Sequence, residues 1–194
     1  MAKKPLPTPD ELRQLLRYEP ETGKLFWRER NRTYFQSTTP AGKVRLWNEM
    51  NAGREAFTSV DWSGHMYGRI LGRHFSTHRV AWAIYYGAWP SGVIDHINGD
   101  PTDNRINNLR DVTPLENSRN GPLAPKNTSG VTGVYFNKKS QKWRAYIGLK
   151  NKQVNLGMFE DFETAAEARK RAEKELGYHP NHGSRPAVSQ WLKP

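Results

Sequence analysis

Leu12, Leu15 and Leu16 recur at three- and four-residue intervals, which predicts a short helix over residues 8–18 capped by Thr8 or Asp10. Residues 19–29 predict a hairpin that turns at Thr22-Gly23 and returns through Lys24-Leu25-Phe26-Trp27. The polar stretch 30–55 has no clear period and predicts no element. A second hairpin is expected at 66–76, around Gly72-Arg73. Thr77 then reads as the cap of a helix with Val80, Ala81, Ile84 and Tyr85 at helical spacing and Gly87 as its stop before Pro90.

Downstream, Val93-Ile94-Asp95-His96 reads as a strand that runs into a polar loop. Asp103–Arg110 leads into a second short strand, and a helix begins with Thr113 as cap and Pro114 at its first position. Residues 121–129 are rich in Pro, Gly and Ser and read as a linker. Three strand-like runs follow: Val131–Phe136, Trp143–Leu149 and Gln153–Phe159. The middle run alternates Trp143, Ala145, Ile147 and Leu149 against Arg144, Tyr146, Gly148 and Lys150. A helix over 164–176 is marked by a Thr164–Glu167 capping box and stopped by Gly177. Its stripe of Phe162, Ala165, Ala166, Ala172 and Leu176 suits the apolar side of such a sheet. The expected fold class is therefore α+β. The expected division is 1–120, a linker at 121–129, a sheet-and-helix domain at 130–178 and a polar tail at 179–194.

Charge turns this outline toward a partner. Thirty Lys and Arg face nineteen Asp and Glu, for a net +11. Residues 121–194 carry thirteen basic and six acidic residues, so the shorter C-terminal part is the more basic one. Lys and Arg displace counterions from phosphates, so a polyanion is the expected partner. The chain has no cysteine, which excludes disulfides, thiol nucleophiles and Cys-ligated zinc and fits a cytoplasmic setting. The basic N-terminus lacks the apolar core of a signal peptide, and no apolar stretch is long enough to span a membrane. Nothing in the sequence indicates an obligate protein partner.

Asp95-His96, Asn98-Gly99-Asp100, Asn104-Arg105, Asn108 and Asn117 fall in order along the strand–loop–strand–helix segment 92–120. Thr77-His78-Arg79-Val80-Ala81-Trp82 and Trp89-Pro90 precede it. This pattern resembles the HNH nucleases, specifically the phage and intron-encoded homing endonucleases. The resemblance implies a ββα-metal nuclease module that hydrolyses double-stranded DNA. His96 matches the family's general base, and imidazole titrates near neutrality. Asp95 and Asn117 match the metal-ligand positions; their hard oxygens suit one Mg²⁺ or Mn²⁺. Asn108 matches the middle Asn, whose implied role is to pin the loop and orient His96. Asn117 stands where many members have His. Adjacent strand residues point to opposite faces, so Asp95 and His96 need a local distortion to serve one site. His65, His74, His78, His179 and His182 show no comparable pattern and are read as lying outside the site.

Gly133-Val134, Trp143-Arg144-Ala145, Leu156-Gly157-Met158-Phe159 and Thr164–Ala168 resemble the Apetala-type (ethylene-response-factor) DNA-binding domain, a three-stranded sheet packed on one helix. Such a sheet can enter the major groove. The residues expected to face DNA are Tyr135, Asn137, Lys138, Arg144, Tyr146, Lys150 and Asn155. The alternative is a sequence-specific DNA-binding regulator with an inactive nuclease module. An RNA-binding role is weaker, because no ribonucleoprotein signature is present.

Overall fold

The computed structural model describes residues 5–35, 38–149 and 152–184. The chain divides into two compact units, Met1–Val112 and Thr113–Pro194. The division therefore falls eight residues before the expected boundary at 120 and places Asn117 in the second unit. None of the described helices is long and apolar enough to cross a membrane.

The first unit opens with helix α1 (Pro9–Leu15), and Thr8 and Glu11 form a reciprocal capping box at its start. The helix is shorter than the expected 8–18. Leu16–Glu19 instead forms strand β1, which pairs with β2 (Lys24–Trp27) in register Leu16↔Trp27. Three carboxyl-side residues of the expected helix thus gain sheet bonds. A short strand β3 (Glu55–Ala56) completes this sheet in the order β1-β2-β3. Between β2 and β3, where no element was expected, lies helix α2 (Ala41–Asn51). It buries no residue fully. Trp47 anchors it, packing edge-on to Trp27 at 5.8 Å, with the Arg30 guanidinium 4.0 Å above the Trp47 ring.

A second three-stranded sheet follows in the order β4-β5-β6, from β4 (Ser59–Val60), β5 (Met66–Ile70) and β6 (Arg73–Ser76). Helix α3 (Thr77–Tyr86) comes next. Its N-cap is Ser76, not Thr77: Thr77 is the first helical residue and is buried, its hydroxyl 3.5 Å from the Phe57 carbonyl. Gly87 ends the helix in the left-handed conformation, as its position suggested. Leu12, Leu15, Leu16, Leu25, Ile70 and Val80 form the core of the unit, so α1, α3 and both sheets share one apolar centre. Strands β7 (Val93–His96) and β8 (Leu109–Val112) pair antiparallel, with Asp95 opposite Arg110 and His96 opposite Leu109. A small cluster of Ala81, Ile94 and Leu109 backs that ribbon.

The first hairpin buttresses the loop between β7 and β8. Tyr18 donates its hydroxyl to the Asn104 carbonyl at 2.7 Å, and Ile106 donates its N–H to Pro20 O at 3.2 Å. Gly23 has φ +74°, and a Cβ there would lie 2.5 Å from the backbone of Asn104 and Arg105. Gly23→Ala is therefore expected to lower stability by at least about 1–2 kcal/mol from the left-handed conformation alone, with the backbone collision added. A urea midpoint equal to that of the wild type would contradict this.

In the second unit, helix α4 (Pro114–Ser118) starts with a Thr113–Glu116 capping box. Strands β9 (Val134–Asn137), β10 (Lys142–Leu149) and β11 (Lys152–Phe159) form a meander with β10 at its centre. The first strand begins at 134 rather than 131, because Val131–Gly133 makes a turn in which Gly133 has φ +75°. Helix α5 (Phe162–Glu175) covers one sheet face, with Val134, Ala145 and Ala165 in the core. Its cap is Asp161, which accepts the Thr164 N–H at 2.7 Å; the expected Thr164 cap lies inside the helix. Arg169 interrupts the apolar stripe. It is buried, and its guanidinium donates to the Tyr146 carbonyl and to Glu173, at the point where a bulge shifts the β10–β11 register. The expected tail meets the end of α4 and the start of the expected linker: His179 N–H reaches Arg119 O, and Gly183 N–H reaches Gly121 O.

Candidate active site

Strand β7 delivers His96 at its end, and the turn after it is closed by Gly99, with φ +71° and its N–H on His96 O. The loop is held by polar side chains rather than by apolar packing. Asn108, buried in a single 3-10 turn, accepts the Asn98 N–H at 2.9 Å and donates to the Asp103 carbonyl at 2.8 Å. One amide thus ties the loop's start to its end. Asn98 in turn donates to Asp103 at 2.8 Å, and Arg105 holds the same carboxylate. This arginine and the Asn98 side chain keep the Asp103 carboxyl below the usual range.

His96 is only 5% exposed. Its Nε2 lies 3.3 Å from Oδ1 of Asn104, which is itself 1% exposed. Asn104 also donates to Thr102 O at 3.0 Å, so its amide orientation is fixed from both ends. Two further imidazoles pack on His96: His65 with ring centroids 5.6 Å apart, and His78 at 5.2 Å. His65 and His78 contact each other at 5.1 Å. A ring nitrogen from each of the three lies within 4.8 Å of the others. Burial pulls the pKa of all three down, His78 to about 3, while the Asn104 amide partly opposes this at His96. The three rings are therefore neutral at neutral pH, and His96 carries a lone pair able to take a proton. His78 Nδ1 is buried without a hydrogen-bond partner among the described residues.

His65 is positioned by its own loop. Asp61 Oδ1 accepts the N–H groups of Ser63 and His65 and the Ser63 hydroxyl, and that hydroxyl lies 2.8 Å from His65 Nδ1. His65 and His78 had been read as lying outside the site, yet they sit against His96. Neither has a local motif: the contact joins the β4–β5 loop, helix α3 and the end of β7. Asn104 belongs to the pattern without an assigned role, and its contact with His96 cannot be told in the sequence from an ordinary turn residue's chemistry.

The remaining motif residues are placed differently. Asp95 is buried, and its Oδ2 receives Nε and Nη2 of Arg110, its cross-strand partner, at 2.7 and 2.6 Å. His96 instead contacts His65, His78 and Asn104. Asn117 lies on α4 in the second unit, exposed and without a side-chain hydrogen bond among the described residues.

On the second unit's open sheet face, Arg144 sits between Tyr135, whose hydroxyl it meets at 3.2 Å, and Asn155, 3.4 Å away. Tyr146 lies beside Tyr135, with ring centroids 6.1 Å apart. These four residues share one surface. Asn137 serves the turn, accepting the N–H groups of Lys139 and Ser140, and Lys138 is exposed in that same turn. Lys150 lies outside the described residues.

Residues 75–119 match the profile of the family described as HNH endonuclease. Over 79 residues, 40% of the chain, the sequence is 38% identical to Protein 3.8 of Escherichia phage T7, and the match spans 65% of that protein's length, just under two thirds. No solved structure matches. The segment that carries β7, β8 and α4 thus matches the HNH endonuclease profile, and part of the chain is similar to part of a phage protein.

Proposed function

We propose that the protein is a phage-type homing endonuclease that hydrolyses double-stranded DNA, with His96 as the base that takes the proton of the attacking water. The observation that carries this reading is a buried, neutral imidazole held at the end of β7 by an amide-pinned loop. Phosphodiester hydrolysis needs a proton acceptor at neutral pH, and a neutral imidazole is one. Asn108 acts through the loop rather than on DNA. It is a positioning residue.

Asp95 and Asn117 offer one carboxylate and one amide oxygen, a donor set whose chemistry fits Mg²⁺ or Mn²⁺. A bound ion would stabilise charge on the phosphate. The Arg110 guanidinium now satisfies Asp95 Oδ2, and it supplies fixed positive charge beside the strand. That ion pair is also the observation that favours the second reading, a regulator that binds DNA and does not cut it.

The sheet face of β9–β11, with its likeness to the Apetala-type domain, is proposed to grip DNA through Tyr135, Arg144, Tyr146 and Asn155, with Asn137 and Lys138 at the β9–β10 turn; Lys150, expected to join them, lies outside the described residues. Arg144→Ala is expected to weaken binding by roughly 1–3 kcal/mol if Arg144 reads a base, or to reduce the salt slope by about 1 if it meets a phosphate. Unchanged affinity at every salt concentration would refute this role. The nuclease reading itself is tested by incubating the full chain with supercoiled plasmids that carry phage genomic fragments. Open circles should appear with Mg²⁺ or Mn²⁺ and not with a chelator. A single centre cuts one strand at a time, so nicks should precede linear product. Binding without nicking under any divalent ion would establish the regulator instead.

A further inference from the structure

We propose that His65, His78 and His96 form a binding site for one divalent transition ion of the Zn²⁺ type, and that its occupancy excludes His96 from proton transfer. The second half rests on the role of His96 proposed above; the first does not.

Three imidazoles from three separate elements converge, each offering a ring nitrogen within 4.8 Å of the other two. Zinc binds imidazole nitrogen at about 2.0–2.1 Å, so tetrahedral ligand atoms stand about 3.4 Å apart. Contraction from 4.8 Å to that spacing requires each nitrogen to move by only about 0.8 Å, within the reach of small side-chain rotations. The donors are all nitrogen, which suits Zn²⁺, Co²⁺ or Ni²⁺ and not Mg²⁺. Two independent features point to a ligand. His78 is nine-tenths buried, and its Nδ1 has no hydrogen-bond partner among the described residues. His65 has the orientation that a metal-binding imidazole needs: its Nδ1 meets the Ser63 hydroxyl, which donates to Asp61, leaving Nε2 for an ion. An ion bound to His96 takes the lone pair that would otherwise accept the proton of water. Zinc then becomes an inhibitor of a reaction that Mg²⁺ or Mn²⁺ supports.

The test uses the full-length chain and Co²⁺, whose visible absorption intensifies in tetrahedral nitrogen coordination. One equivalent should bind, Zn²⁺ should displace it, and excess Mg²⁺ should not. His65→Ala, on the β4–β5 loop, should abolish the absorption while circular dichroism stays that of the wild type. Ser63→Ala, which removes only the orienting hydroxyl, should weaken Co²⁺ affinity by about 10–100-fold. In nicking assays, Zn²⁺ should inhibit the Mg²⁺-supported rate of the wild type and inhibit His65→Ala only at concentrations at least about tenfold higher. Absent tetrahedral absorption, or absorption that survives in His65→Ala, overturns the site. Cobalt binding in a chain that never nicks DNA upholds the site and refutes the role given to His96.

Discussion

His96→Ala should nick supercoiled DNA about 10²–10⁴-fold more slowly than the wild type, the range that a positioned general base contributes. Its DNA affinity should be unchanged, because the proposed gripping surface lies on β9–β11. The separation of the two readouts matters. A loss of rate with retained binding places the defect in the chemical step, whereas a parallel loss of both would mean that the substitution had disturbed the fold. The ring is 5% exposed, so truncation also leaves a small cavity beside His65, His78 and Asn104. His96→Asn, closer in size and polar, should keep the melting temperature nearer that of the wild type while remaining as slow. Equal rates for wild type and either variant would remove His96 from the mechanism.

Asn108→Ala is expected to cost about 1–3 kcal/mol, because two part-buried hydrogen bonds, from Asn98 N–H and to Asp103 C=O, are lost at roughly 0.5–1.5 kcal/mol each. That loss is a large share of the stability of an ordinary domain. The effect should be read twice. The urea midpoint should fall, and at denaturant-free conditions where the variant remains folded, nicking should fall as well, since the loop that sets His96 has come loose. Asn108→Asp keeps an acceptor for Asn98 N–H but sets a carboxylate oxygen against the Asp103 carbonyl, so it should not rescue the wild-type stability. Wild-type stability in Asn108→Ala would show that the loop is held by other groups.

These predictions draw on features that the sequence displayed unevenly. Local chemistry was legible: the Thr113 cap, the Gly87 stop, the two hairpins of the first unit and the inward alternation of Ala145 and Ile147 all reside within a few residues of their partners. The contest between Leu16 as helix and Leu16 as strand was not, because it is decided by pairing with Trp27. Helix α2 escaped because its cap, Pro40, makes no side-chain bond and because Leu46 and Met50 face solvent, leaving Trp47 to anchor it. The burial of Arg169 was not legible either, because its place is fixed by a carbonyl 23 positions away in sequence.

The candidate site shows the same divide. The resemblance to the HNH pattern singled out His96 and Asn108 as candidates. The neighbours that shape His96 come from distant turns: Asn104 is sealed in by Tyr18, 86 residues earlier, and approached by Met66, 38 residues earlier. His65 and His78 carry no local signature, and only the packing of the β4–β5 loop and α3 against β7 brings them to the motif. Asn and Asp turns are common in any chain, so the sequence could not distinguish the Asp61–Ser63–His65 arrangement from an ordinary loop.

Chemical rescue tests the proton-acceptor role of His96 most directly. His96→Ala is incubated with supercoiled target DNA, Mg²⁺ and increasing imidazole, and open circles are counted over time. The expected result is a slow basal rate that climbs with imidazole concentration in His96→Ala, with no such climb in Asn108→Ala. A His96→Ala chain that nicks at the wild-type rate with no imidazole present, and gains nothing when it is added, would contradict the assignment.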